Sequence, residues 1–254
     1  MTASNKSLLD ALDARSGLIC FVGAGGKKST MYRLAAAHPG RVGITATVHI
    51  PFFPDELDAA QIIAPAEMLA AAVTDAVPEN DKIAFAHPSE KRGRFAGLSP
   101  ALLTQVRVRA DFDITLVKAD GARMRWLKAP NEVEPQIPCG TTTVIAVVSA
   151  RALGEPLSER IAHRVSYIEN VCGARVGERI EPLHIAQLLT HPDGICRDSG
   201  PAHVIPLINM VDDESRRQLA TMAAKAALEM TDQFDRVILA SMKRDDALVD
   251  VIER

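Results

Sequence analysis

The chain has 254 residues, 47% hydrophobic and 24% charged, with a formal net charge of −3. That length fits one large α/β domain, or one domain with a small appendage, and it can bury a sizeable core. The charge balance excludes a nucleic-acid or acidic-membrane surface spread over the whole protein, while leaving room for a local anion site.

Residues 4–15 read as a short amphipathic helix with Leu8, Leu9 and Leu12 on one face. Leu18 to Val22 is short, apolar and followed by glycines, so it reads as a buried strand. Met31 to Ala37 follows as a helix. Arg41 to His49 is a second strand, stopped by Pro51 and Pro54. Gln61–Ala64 and Lys82–Ala86 are further strands, with the Ala-rich helix Glu67–Val77 between them. A helix Pro100–Val108 precedes the strand Asp113–Ala119, which runs into Asp120-Gly121. After a proline-rich stretch, Pro130 to Pro138, come the strand Thr142–Ser149 and the helix Ser158–Val171. Residues 181–190 read as a helix, His203–Met210 as a strand and Asp213–Thr231 as a helix. Arg236–Ala240 is a strand and Ala247–Glu253 a closing helix.

Strands alternate with helices throughout. This predicts a three-layer α/β fold, a mainly parallel sheet with helices on both faces. The expectation is one nucleotide-binding domain over residues 1–254, with a small insertion around 172–202. The opening Met1-Thr-Ala-Ser-Asn-Lys-Ser7 lacks a signal peptide's apolar core, and no apolar run approaches the roughly 20 residues of a membrane span. Cys20, Cys139, Cys172 and Cys196 show no C-x-x-C or zinc spacing. A cytoplasmic protein with no nucleic-acid or membrane partner is expected.

The most informative segment is Leu18-Ile-Cys-Phe-Val-Gly-Ala-Gly-Gly-Lys-Lys-Ser-Thr30. Strand, Gly-rich turn, lysines, hydroxyls and helix is the order of a phosphate-binding loop. Glycines let backbone N–H groups converge on an anion, and a helix N-terminus adds free N–H groups and a positive dipole end. A lysine serves the outer phosphates and a hydroxyl can ligate Mg²⁺. The spacing departs from G-x-x-x-x-G-K-[ST] in either register. It also departs from G-x-G-x-x-G/A, which would need Gly or Ala where Lys28 stands. An ordinary strand-to-helix turn ranks below phosphate binding, because such turns rarely carry two lysines and two hydroxyls.

Ligands on parallel sheets bind beyond the strands' carboxyl ends. Thr45-Ala-Thr-Val-His49, Asp120-Gly121 and Asn209-Met-Val-Asp212 all fall at that edge. Asp120 is placed to hold Mg²⁺, against a plain Asp-Gly turn. Asn209 and Asp212 stand where GTPases read guanine, although a carboxylate there can also cap the next helix. His49 is a candidate to orient an attacking water. Arginines 92, 94, 107, 109, 123 and 125 make residues 91–128 locally basic. Most read as solvated faces, with a few in reach of a phosphate.

Together these pieces resemble the YqeC-type selenium-dependent hydroxylase accessory proteins. The likeness runs through Phe21–Thr30, Thr45–Ile50, Ala119–Ala122, Leu127–Pro130, Glu134–Pro138, Thr143–Val147 and Leu207–Asp212. It implies a P-loop NTPase-like fold, related to metallochaperone GTPases that dimerise around nucleotide. It also implies a part in maturing a selenium-dependent molybdenum hydroxylase, with that enzyme or its cofactor-insertion machinery as partner and a homodimer as the assembly. ATP or GTP with Mg²⁺ would be the cofactors. Gly23, Ala24, Gly25, Gly26, Lys27, Lys28, Ser29 and Thr30 would hold the phosphates, Asn209 and Asp212 the base, and Ser29 or Thr30 with Asp120 the metal. Catalysis, a slow ATPase or GTPase reaction, would rest on His49 and Asp120. Three departures stand out: Lys28 inside the loop, Ala46 and Val48 breaking a threonine run, and Lys118 where the family usually has Glu. Two of them fall where phosphates and Mg²⁺ would sit. A non-hydrolysing carrier of a phosphorylated or nucleotide-bearing molybdenum cofactor is therefore the alternative.

Overall fold

A computed structural model describes residues 7–254. In chain order the first half holds α1 (Leu8–Ala11), β1 (Gly17–Gly23), α2 (Lys27–Ala37), β2 (Val42–Ala46), β3 (Ile50–Pro51), β4 (Ala60–Ile63), α3 (Ala66–Ala76), β5 (Lys82–Ala86), β6 (Arg94–Phe95), α4 (Pro100–Ala110), β7 (Ile114–Lys118) and β8 (Leu127–Lys128). The second half holds β9 (Thr143–Ser149), β10 (Ala162–His163), α5 (Val165–Cys172), α6 (Pro182–Thr190), β11 (His203–Asn209), α7 (Glu214–Met230), β12 (Arg236–Ala240) and β13 (Leu248–Glu253).

Nine strands form one sheet in the order β13-β12-β11-β9-β1-β7-β2-β5-β4. Within this sheet every neighbouring pair is parallel except β12–β13. Crossover helices cover both faces, so the central strands are apolar on both sides. In β1, Leu18, Cys20 and Val22 face a core built with α3 to α7. Ile19 and Phe21 face a second core with Leu9 and Leu12 of the N-terminal segment and Met31 and Leu34 of α2. This is the three-layer, P-loop NTPase-like α/β architecture expected from the alternation of elements. No helix among the described residues is long and apolar enough to cross a membrane.

Several boundaries differ from the sequence expectation. The closing helix at 247–253 is instead β13, antiparallel to β12. Its apolar residues at 248, 249, 251 and 252 fit either period, and pairing along the exposed edge of β12 decides the outcome. The helix expected from Ser158 begins only at Val165. Arg164 takes a left-handed conformation (φ 64°), directly after β10 pairs with β8. The helix after the glycine loop starts at Lys27 rather than Met31. Of the expected 4–15 helix, residues 8–11 are helical, and residues 4–6 lie outside the described ones. In the 172–202 stretch, α6 packs against α5 and α7 and places Ile185, Leu188 and Leu189 in the core.

Candidate functional site

β1 and β7 are adjacent and parallel, so the glycine loop after Gly23 and the Asp120 turn after Lys118 leave the sheet at the same edge. Gly25 (φ 90°) and Gly26 (φ 115°) are left-handed, a region open to glycine at little cost. A Cβ on Gly25 would also stand 2.5 Å from the Cβ of Ser149. Gly26 caps α2 without any side-chain cap. Among the described residues the backbone N–H groups of Gly25, Gly26, Lys27, Lys28 and Ser29 have no acceptor in the protein. This is the donor array a helix N-terminus offers an anion.

Beneath the loop runs a ladder of alternating charge. Lys27 Nζ meets Asp120 Oδ1 at 2.8 Å and also donates to the Gly23 carbonyl. Lys128 Nζ meets Asp120 Oδ2 at 2.8 Å and Glu134 Oε2 at 2.7 Å. Arg164 Nη1 reaches the same Glu134 oxygen at 2.8 Å. The Gly23 N–H donates to Asp120 Oδ2 at 2.8 Å, and the Gly121 N–H to Glu134 Oε1 at 3.1 Å. Burial works against the Asp120 charge, but Lys27 and Lys128 outweigh it and hold the carboxyl below its ordinary value. Burial also pushes the Lys27 ammonium down. Asp120, 2.8 Å away, opposes that push.

Above the ladder opens a cavity of about 730 Å³, a size typical of ligand sites. Lys27, Lys28, Lys91, Arg94 and Lys118 line it. Arg123, Arg125 and Arg164 line it too, together with Trp126. Glu134 is the one carboxylate against these eight cations among the described residues. Burial, Lys91, Arg94 and Lys118 hold the His49 imidazole below its usual range. Burial, Arg164, Lys128 and Arg123 push His163 down to about 4. Lys118, donating to the His49 carbonyl at 2.9 Å, is pushed down to about 7, first by burial and then by Lys27. All three shifts report a strongly positive, partly desolvated space.

Gly25, Gly26, Lys27, Lys28, Ser29 and His49 therefore meet at one cavity. Gly23 and Ala24 spend their N–H groups on Asp120 and the Val147 carbonyl. The Thr30 hydroxyl is buried against the Gly26 carbonyl at 3.1 Å, so Ser29 is the loop hydroxyl that faces the cavity. Asp120 lies under the floor and does not line it. Asn209 is buried with Nδ2 donating to the Gly25 carbonyl at 2.9 Å, which makes it a brace for the loop. Asp212 pairs with Arg151 at 3.0 Å and accepts from the Ser241 hydroxyl at 2.8 Å, away from the cavity. Of the two candidate helix caps, Asp212 and Asp213, it is Asp213 that accepts from the Arg216 N–H, at 2.9 Å. Sequence reasoning passed over Lys128, Glu134, His163 and Arg164. The first two lie in segments that carry the family resemblance, and that was their only signal.

Mg²⁺ does not fit this donor set as it stands. Both Asp120 oxygens are engaged by ammonium groups, leaving Ser29 as an isolated oxygen donor. Among the described residues no group of three or more His, Cys, Asp or Glu side chains could hold a metal ion.

The fold and the loop define a three-layer α/β protein of P-loop NTPase-like architecture, with a cation-lined cavity at its glycine loop. Residues 19–166 match the YqeC protein family, and the chain belongs to that family. It is 31% identical over 183 residues to a protein of Escherichia coli (strain K12) described as uncharacterized protein YqeC, covering 71% of this chain and 70% of that one. No solved structure matches the chain.

Proposed function

We propose that the protein binds a phosphate-bearing ligand, a nucleotide or a nucleotide-bearing cofactor, and acts as a carrier in the maturation of a molybdenum hydroxylase. One observation carries the binding half: eight cations against one carboxylate around the free N–H groups of the Gly25–Ser29 turn. The engagement of Asp120 by Lys27 and Lys128 favours a carrier over a metal-dependent hydrolase. The molybdenum setting, selenium and a homodimer come from the family resemblance and belong to the same proposal.

A slow ATPase or GTPase is the second reading. It is favoured by Ser29 and His49, which line the cavity together with Lys27. It requires Asp120 to give up an ammonium partner. Calorimetric titration with ATP, GTP and pyrophosphate, in Mg²⁺ or EDTA and at two salt concentrations, separates the two when joined to a phosphate-release assay. The carrier binds in EDTA, weakens steeply with salt and releases no phosphate. Binding that needs Mg²⁺, with turnover, establishes the hydrolase. No binding of any of the three ligands rejects both.

A further inference from the structure

Two histidines line the cavity, and each is depressed by its own set of nearby cations. His49 is depressed by Lys91, Arg94 and Lys118, whereas His163 is depressed by Arg164, Lys128 and Arg123, and the two sets share no member. Lys28, on the glycine loop, feels Arg94 of the first group. The ion ladder runs from Lys27 at one end to Arg164 at the other, with Asp120, Lys128 and Glu134 between them. Both end residues line the cavity.

The backbone supplies a second, independent observation. Seven non-glycine residues among the described ones have left-handed φ, and Arg123, Met124, Arg164 and Met210 of these line this cavity. Such conformations cost energy and persist where a site requires them. Successive left-handed residues at 123 and 124 turn the chain so that Arg123 and Arg125 both border the cavity. Neither arginine has a carboxylate partner among the described residues. Uncompensated guanidinium groups beside a third one suit a second oxyanion, since a planar fork matches phosphate geometry.

We infer that the cavity contains two anion subsites, one at the glycine loop with Lys28 and one at Arg123, Arg125 and Arg164, and so takes an elongated ligand with phosphate groups at both ends. The inference rests on the proposed phosphate-binding role of the glycine loop and extends it. A triphosphate tail alone would use one subsite. A nucleotide carrying a second, remote phosphate would use both, with its planar base beside Trp126.

Inorganic pyrophosphate at low ionic strength tests the two subsites without assuming their spacing. Calorimetry on the full chain is expected to count two pyrophosphates per protein. Lys28→Ala should weaken one by about tenfold or more, and the double variant Arg123→Gln/Arg125→Gln should weaken the other by as much. None of these three side chains has a carboxylate partner to lose, and thermal melts check that the variants fold. A single site sensitive only to Lys28→Ala overturns the second subsite and leaves the glycine-loop reading standing. A single site sensitive only to the arginine pair overturns the glycine-loop reading, and the two-subsite inference with it. Absence of binding overturns both. Adenosine 3′-phosphate 5′-diphosphate should then bind about tenfold or more tightly than ADP, and this gain should vanish in the double variant. Equal affinities in the parent protein overturn the single elongated ligand.

Discussion

Lys27 and Asp120 face each other at 2.8 Å beneath the glycine loop, both almost fully buried. The lysine best placed for a ligand's phosphates is thus already committed to an internal anion. An incoming phosphate must share it or draw it away, and Asp120 keeps Lys128 as its second counter-charge. Ligand affinity and the stability of this floor are therefore opposed at one residue.

Asp120→Asn exposes that opposition. The amide can still accept from the Gly23 N–H, but two buried ammonium groups lose their shared charge. Removing one partner from a buried ionic network costs about 3–5 kcal/mol, to be read by urea unfolding. Pyrophosphate affinity of the folded variant should be unchanged or higher, because Lys27 no longer has an internal competitor. A tenfold loss of affinity confined to Mg²⁺-containing buffer would instead make Asp120 a metal ligand and end the carrier reading.

Asn209 and Asp212 sit three residues apart yet should behave differently. Asn209→Ala removes the brace on the Gly25 carbonyl, a contact worth about 1 kcal/mol. ATP and GTP should both weaken about fivefold. Asp212→Asn breaks a partly exposed pair with Arg151 and should cost no more than about 1 kcal/mol of stability. Neither nucleotide's affinity should change. A selective loss of GTP in Asp212→Asn would return that carboxylate to the base-reading role.

The strand, glycine loop and helix at residues 17–37 were legible because an apolar run, left-handed glycines and a helix start leave local marks. The parallel sheet was legible for the same reason, from strands alternating with helices. The ladder was not. Lys128 lies only 6 residues from Glu134, but Arg164 lies 30 from it and Asp120 lies 97 from Gly23, so the fold and not the local sequence assembles the whole ladder. Arg94, Arg123 and Arg125 were visible as a basic stretch, but no periodicity says which arginines point into a cavity. The partners of Asn209 and Asp212 were not legible, because a strand's end fixes their position along the edge and not the direction of their side chains. Residues 247–253 read as a helix and form a strand instead, because a short apolar run fits either period and the open edge of β12 decides it.

Truncation tests that edge. Deleting residues 248–254 removes the half-buried Leu248, Val249, Val251 and Ile252 and opens the β12 edge. A loss of about 3 kcal/mol or more is expected, with aggregation through the unpaired strand. An unchanged melting temperature in a monomeric product would show that β13 adds nothing to the sheet.

His163 gives the pH dependence. Its ordinary value is 6.5, and in the folded protein burial, Arg164, Lys128 and Arg123 push it down to about 4. Between those values the unfolded chain binds more protons than the folded one. Stability therefore rises with pH across that window, and acidification from 6.5 toward 4 removes it. Urea unfolding at pH 4.5, 5.5, 6.5 and 7.5 should show a steeper acid loss in the parent than in His163→Gln, and identical profiles would discard the assignment. An anion bound at Arg123 and Arg164 offsets the charges that depress the imidazole. Pyrophosphate should then move the His163 titration, followed by NMR, back toward 6.5, and its affinity at the arginine subsite should increase as pH falls through that range. The Arg123→Gln/Arg125→Gln variant should show little of this shift. A His163 titration indifferent to pyrophosphate in the parent would place the anion elsewhere in the cavity.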